Sequence, residues 1–272
     1  REEVFPGGGI CLVHGDTLST LLGLKMAKAA GLEVGHIEAG LRSYDILHPF
    51  PEELIRIHCM KQCDLLFAPS EQALENLRLM GVKGDALHVD GNTVVDALRL
   101  VECAGAKIKI PPLPYALAAC HRLETITDRW RLERVVALLN RVSQIMTMVF
   151  VVHKPTIKYL EKFCLKERFL PNVQLMGMQD YSDFVALMRN AKLVMADGGS
   201  IQEECAYLNK PCLILRNKTE RSDGLGRNAT LWRFDDNVSD AFLIRMDHMS
   251  DVQNKWPSPA SMIVDHLVER YL

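Results

Sequence analysis

Short apolar runs alternate with segments of helical period along most of this chain, and the alternation limits the fold more than any other feature. The runs are Ile10–His14, Val34–Ile37, Leu65–Ala68, Leu87–Asp90, Tyr115–Cys120, Met146–Val152, Val173–Leu175, Leu193–Ala196 and Cys212–Leu215. They are short and largely apolar, which predicts strands buried on both faces. Between them, apolar spacing predicts helices over Leu18–Ala30, Glu52–Gln62, Glu71–Met80, Val94–Val101, Arg129–Val142, Ile157–Phe163, Tyr181–Asn190 and Ile201–Leu208, with a last one at Ser261–Leu272. Repeated βα units imply a parallel sheet covered by helices on both sides. Pro111, Pro112 and Pro114 interrupt the pattern as a linker would. The expectation is therefore two α/β, Rossmann-like, doubly wound parallel-sheet domains, residues 1–105 and 115–260, followed by a terminal helix at 261–272.

Composition narrows the function. The 272 residues carry a formal net charge of −2, so no overall basic field invites nucleic acid or an acidic membrane surface. The chain has no apolar run long enough to span a bilayer. Its eight cysteines are scattered through apolar segments, which fits free thiols in a reducing cytoplasm rather than a disulfide framework. Cys59 and Cys63 stand one helical turn apart, but no His/Cys pair recurs at zinc spacing, and no metal is expected.

In open parallel sheets ligands bind beyond the carboxyl ends of the strands, and between two such domains the facing cleft is the expected site. Three strand ends of the first domain deliver acids: Asp16, Glu38, and the pair Glu52 and Glu53. The plain alternative is that Asp16 caps the next helix and the glutamates favour a helix start. The first strand of the second domain ends in His121-Arg122. The strongest local signal is Ala196-Asp197-Gly198-Gly199-Ser200, where a strand passes through glycines directly into a helix. Free N–H groups and the positive helix end there suit a diphosphate. Glu204, one turn in, can accept hydrogen bonds from ribose hydroxyls. The plain alternative is a Gly-rich turn with Ser200 as N-cap. Arg216 to Arg221, before Gly224-Leu225-Gly226, offers further cations, with a solvated surface loop as the alternative.

The ordered set of segments resembles the non-hydrolysing UDP-N-acetylglucosamine 2-epimerases. The segments are His14-Gly15-Asp16-Thr17, Gly35-His36-Ile37-Glu38-Ala39-Gly40-Leu41-Arg42, Pro49-Phe50-Pro51-Glu52-Glu53, Gly91-Asn92-Thr93-Val94-Val95-Asp96, His121-Arg122-Leu123-Glu124 and Asp197-Gly198-Gly199-Ser200-Ile201-Gln202-Glu203-Glu204. The resemblance implies a B-type glycosyltransferase-like fold with a UDP-sugar in the interdomain cleft. It places Asp16, Glu38 and Glu52 on the family's catalytic carboxylates and His121 on its essential histidine. Arg122, Gly199, Ser200, Glu204 and Arg221 become expected contacts for phosphate, UDP and ribose. It also implies a homodimer and a reaction without metal or redox cofactor, in which UDP leaves and returns through a 2-acetamidoglucal. The family opens with a strand and a Gly-Thr-Arg-Pro-Glu loop that have no counterpart here, so the first domain is expected without its first βα units. Many relatives read Asp-Ser-Gly-Gly where this chain reads Asp197-Gly198-Gly199-Ser200, a mark we assign to a subgroup. A hydrolysing relative, a B-type glycosyltransferase and a non-catalytic UDP-sugar-binding module are the competing readings. The sugar itself, plain N-acetylglucosamine or a diacetamido or uronic derivative, is not legible.

Overall fold

The computed structural model describes residues 8–46, 50–112, 114–219, 221–246 and 256–272, without the side chains of 102–104. Arg1–Gly7, Pro49 of the proline segment and Glu220 of the cationic loop lie outside the described residues. The chain forms two compact units. Unit 1 comprises Arg1–Asp96 and Trp256–Leu272, and unit 2 comprises Ala97–Lys255. No helix among the described residues is long and apolar enough to cross a membrane.

Unit 1 is built on a four-stranded parallel sheet in the order β1 (Ile10–His14), β2 (Glu33–Ile37), β3 (Leu65–Ala68), β4 (Asp85–His88). Helices α1 (Leu18–Ala30), α2 (Glu52–Gln62) and α3 (Glu71–Leu79) connect successive strands. The strand expected at Leu87–Asp90 lies two residues earlier. Asp90 and Gly91 take positive φ, 50° and 143°, which ends an extended segment. Alternation along β3 divides the core: Leu66 and Ala68 join Val34, Cys59 and Leu77 on one face, while Leu65 and Phe67 meet Val89 and Ile263 on the other.

Ile263 belongs to the terminal helix α11 (Pro259–Tyr271), so this helix completes unit 1 rather than standing apart. Asp96 anchors its start, accepting from Ser258 Oγ at 2.7 Å and Ala260 N at 2.9 Å. Arg270 pairs with Asp85 at 2.7 Å near its end. The division between units falls at Asp96, within α4 (Val94–Ala104), and not in the proline segment. The reason is packing: Leu98 of α4 is buried with Tyr115 and Leu117 of unit 2.

Unit 2 has a six-stranded parallel sheet in the order β10-β9-β8-β5-β6-β7. Its strands are β5 (Tyr115–Ala119), β6 (Thr147–Val151), β7 (Val173–Met176), β8 (Leu193–Ala196), β9 (Cys212–Ile214) and β10 (Ala229–Leu231). The connecting helices are α5 (Leu123–Ile126), α6 (Arg129–Ser143), α7 (Lys154–Lys162), α8 (Tyr181–Asn190) and α9 (Gly199–Tyr207), and α10 (Asp236–Arg245) follows the last strand. Every residue of β5 is buried. Ala116 and Ala118 face one core with Met148, Phe150 and Met195, and Tyr115 and Leu117 face the other with Val149 and Val194. The order reverses at β5, which has β6 on one side and β8 on the other. A crevice opens at such a reversal, and ligands bind there.

Candidate active site

In unit 1 the acids sit at neighbouring strand ends. Asp16 follows β1 and Glu38 follows β2, and these strands pair in register from Ile10–Glu33 to His14–Ile37. Gly15 N donates to Ile37 O at 3.1 Å, and His36 meets the Gly15 carbonyl at 2.7 Å, which locks the two ends together. Burial holds His36 below the usual histidine range. Asp16 does not cap α1. Thr17 is the N-cap, and the Asp16 carboxylate is instead paired with Arg56.

Arg56 is almost wholly buried in α2 and donates its other arm to Glu53 at 2.7 Å. Glu53 is itself fully buried and accepts from Arg42 Nε at 2.6 Å and Ser43 N at 3.2 Å. Burial opposes its ionisation, but these donors and the two guanidinium charges prevail and hold its carboxyl below the usual range. The result is a chain of alternating charge, Arg42–Glu53–Arg56–Asp16, that fixes Asp16 at the strand ends. Glu38 is held differently. Its backbone takes φ 67°, strained for a non-glycine residue, and Asn92 Nδ2 donates to its carboxylate at 2.6 Å. Glu52, the first residue of α2, has a buried carboxylate oxygen with no hydrogen-bond partner among the described residues. Cys59 and Cys63, the one-turn pair, are free thiols that burial pushes up to about 11 and about 12, so they remain protonated.

In unit 2 the site lies at the reversal of strand order. A cavity of about 250 Å³ is lined by His121 after β5, His153 after β6, Met178, Gln179 and Tyr181 after β7, and Ser200 and Glu204 of α9. Gly198 is the N-cap of α9, with Ser200 in its first turn. Ser200 is thus not the cap, because the helix starts two residues earlier than Ile201. Asp197 is fully buried and ties the loops together, accepting from His121 N at 3.0 Å, Arg122 N at 2.9 Å and Cys120 Sγ at 3.1 Å. Arg122 Nε returns a bond to the Asp197 carbonyl at 3.1 Å.

Glu204 is buried and accepts from the Tyr181 hydroxyl at 2.9 Å. Burial pushes its carboxyl up to about 7, against the opposing pull of that hydroxyl and of Arg221. Arg221 does not line the cavity. It pairs with the buried Glu203 of α9. Gln202 holds the same loop, donating to Arg221 O at 3.1 Å and Asp223 O at 3.0 Å.

Of the expected residues, the structure gathers His121, Ser200 and Glu204 around one cavity and places Gly199 and Arg122 beside it. Asp16 and Glu38 share one sheet edge of unit 1. Sequence reading gives no role to Arg56, Asn92, His153, Asp197 and Tyr181, although Asn92 and Asp197 stand in the motifs it singles out. His153 is within its reach, because it follows a strand end as His121 does. Arg56 stands one turn from Glu52 on the same helix, and that spacing is the signal that could draw it in.

The chain and its fold are similar to those of known proteins. The family model described as UDP-N-acetylglucosamine 2-epimerase matches residues 8–249. A Methanococcus maripaludis UDP-N-acetylglucosamine 2-epimerase is 34% identical over 233 residues, covering 81% of this chain and 63% of that protein. The chain thus spans less than two thirds of that relative's length. Among solved structures, the Methanocaldococcus jannaschii UDP-GlcNAc 2-epimerase in complex with UDP-GlcNAc and UDP superposes with a TM-score of 0.79 at 29% identity, covering 96% of this chain and 75% of that one. The Neisseria meningitidis UDP-GlcNAc 2-epimerase bound to UDP-GlcNAc gives 0.81 at 28% identity, covering 98% and 78%. On the family match, supported by two parallel-sheet α/β domains like those of these structures, the chain belongs to the UDP-N-acetylglucosamine 2-epimerase family.

Proposed function

We propose that this chain carries the machinery for reversible C2 epimerisation of a UDP-N-acetyl amino sugar, UDP-N-acetylglucosamine being the substrate we assign. The observation that carries the reading is the unit 2 cavity, where the start of α9 and the buried Glu204–Tyr181 pair stand beside His121. A helix N-terminus offers N–H groups to a diphosphate, and a buried carboxylate accepts from ribose hydroxyls. Gly199 and Ser200 take the first task and Glu204 the second, with His121 and Arg122 adding donors for the phosphates.

The chemistry then needs acids. A C2–H with no neighbouring carbonyl is a very weak acid, so C1–O cleavage must lead. The electron pair of that bond leaves with UDP, and positive charge builds at C1. Asp16, Glu38 and Glu52 supply the carboxylates that stabilise this charge and take the C2 proton, giving a 2-acetamidoglucal. UDP, kept bound, adds back to C1 while a proton arrives on the other face of C2. No atom is gained or lost over the cycle, and the product keeps its UDP.

The test is incubation with UDP-N-acetylglucosamine in heavy water, followed by proton NMR. The C2 proton signal is expected to fall as the manno isomer appears, with UDP still attached. Asp16→Asn and Glu38→Gln are each expected to slow exchange by about 10²–10⁴-fold. Release of free reducing sugar with UDP would replace this reading by the hydrolysing reaction. Tight UDP binding without deuterium at C2 would leave a binding module.

A further inference from the structure

The ring of His121 is enclosed from the two strand ends that neighbour its own, those of β6 and β8. His153, after β6, stacks on its face at 4.7 Å between centroids and 20° between planes. Gly198, after β8, lies against Cε1, so close that an added Cβ would come within 3.3 Å. Asp197 Oδ1 is 3.6 Å from Nδ1, slightly beyond hydrogen-bond length, and that buried nitrogen has no hydrogen-bond partner among the described residues. The Asp197 carboxylate is fully buried and held by two backbone N–H groups and the Cys120 thiol, so it is fixed in place. A carboxylate at this position stabilises a proton on the nearer ring nitrogen.

We propose that Asp197 is a positioning residue that keeps the His121 proton on Nδ1, leaving Nε2 as the nitrogen offered to the ligand. A free imidazole prefers the opposite tautomer, so without this carboxylate Nε2 would carry the ring's one proton and the basic lone pair would turn inward to Nδ1. The stacked His153 and the tight contact at Gly198 then hold the ring plane. The task given to Nε2, taking up a proton as the diphosphate binds and donating it as an N–H hydrogen bond while that group leaves and returns, rests on the epimerase reading. The tautomer itself does not.

The decisive measurement is long-range ¹H–¹⁵N NMR of histidine-labelled protein at about pH 8, where imidazoles are neutral. The His121 signals are identified by their loss in His121→Asn. Nδ1–H is expected in the natural protein and Nε2–H in Asp197→Asn. A proton on Nε2 in the natural protein overturns the proposal, and that result does not depend on the folding of Asp197→Asn. In turnover of UDP-N-acetylglucosamine, Asp197→Asn is expected to lower kcat about 100-fold with KM changed less than about threefold. Added to His121→Asn, it is expected to cost nothing more, because its effect runs through that ring. Losses that multiply would show a separate role and sink the idea. If the natural protein fails to turn over the sugar, the epimerase reading falls while the tautomer still decides this proposal.

Discussion

Glu204 is the residue whose environment most alters its chemistry. Its carboxyl lies at about 7, against an ordinary value of 4.5, because burial penalises the charge. Between those values the folded chain binds a proton that the unfolded chain has released, so stability falls as pH rises from 4.5 to 7. Above that range the full cost, about 3 kcal/mol, remains. Glu204→Gln removes the cost, so thermal melting at about pH 8 should show the variant equal to or more stable than the parent. In the proposed site, ribose hydroxyls donating to the carboxylate would favour its charged form. UDP affinity measured by calorimetry should therefore strengthen as pH rises through about 7, with proton release on binding, and the Gln variant should lose that part of the dependence. A variant that melts lower at that pH would mean that Glu204 chiefly serves the fold.

At the scale of the element, the strand ends and helix starts are legible in the sequence because they rest on short-range rules. Short continuous apolar runs mark β1, β3 and β8, and the glycines after β8 mark the start of α9. Three elements are not legible: α5 and β10 are only four and three residues long, and in α10, which starts at Asp236, the apolar residues 241–244 run together and set no helical period. The acids can be read one by one, yet their partners cannot, since Glu53 and Asp197 pass for a helix start and a turn until burial is known. Gly40, between β2 and the Arg42 that holds Glu53, shows the same limit. It takes φ 89°, and a Cβ there would lie 2.2 Å from the Ala73 carbonyl oxygen in α3. Backbone cannot yield as a side-chain tip can. Gly40→Ala is expected to destabilise unit 1 by more than about 1 kcal/mol, read from urea unfolding, and to weaken turnover with it.

For the whole molecule, the sequence predicts two parallel-sheet domains but not the path between them. The terminal helix reads as an isolated amphipathic segment until Ile263 is seen under β3. Its burial with Leu65, Phe67 and Val89 makes α11 part of the unit 1 core. Ile263→Ala should therefore cost about 2–5 kcal/mol, although the residue follows the whole of unit 2 in sequence. Hydrogen exchange should report the loss in β3 and β4 and leave β5 to β8 protected. Equal loss in both sheets would mean that the units do not open separately.

That return path bears on how the protein is made. A ribosome that has finished β4 must still polymerise Ala97–Lys255 before α11 emerges, about 10–30 s at ordinary rates of translation. Throughout that interval the nascent sheet of unit 1 waits with its Phe67 side uncovered, whereas unit 2 is contiguous and can close its core first. Chaperone engagement during synthesis should accordingly concentrate on the sheet of unit 1, and end only when α11 arrives.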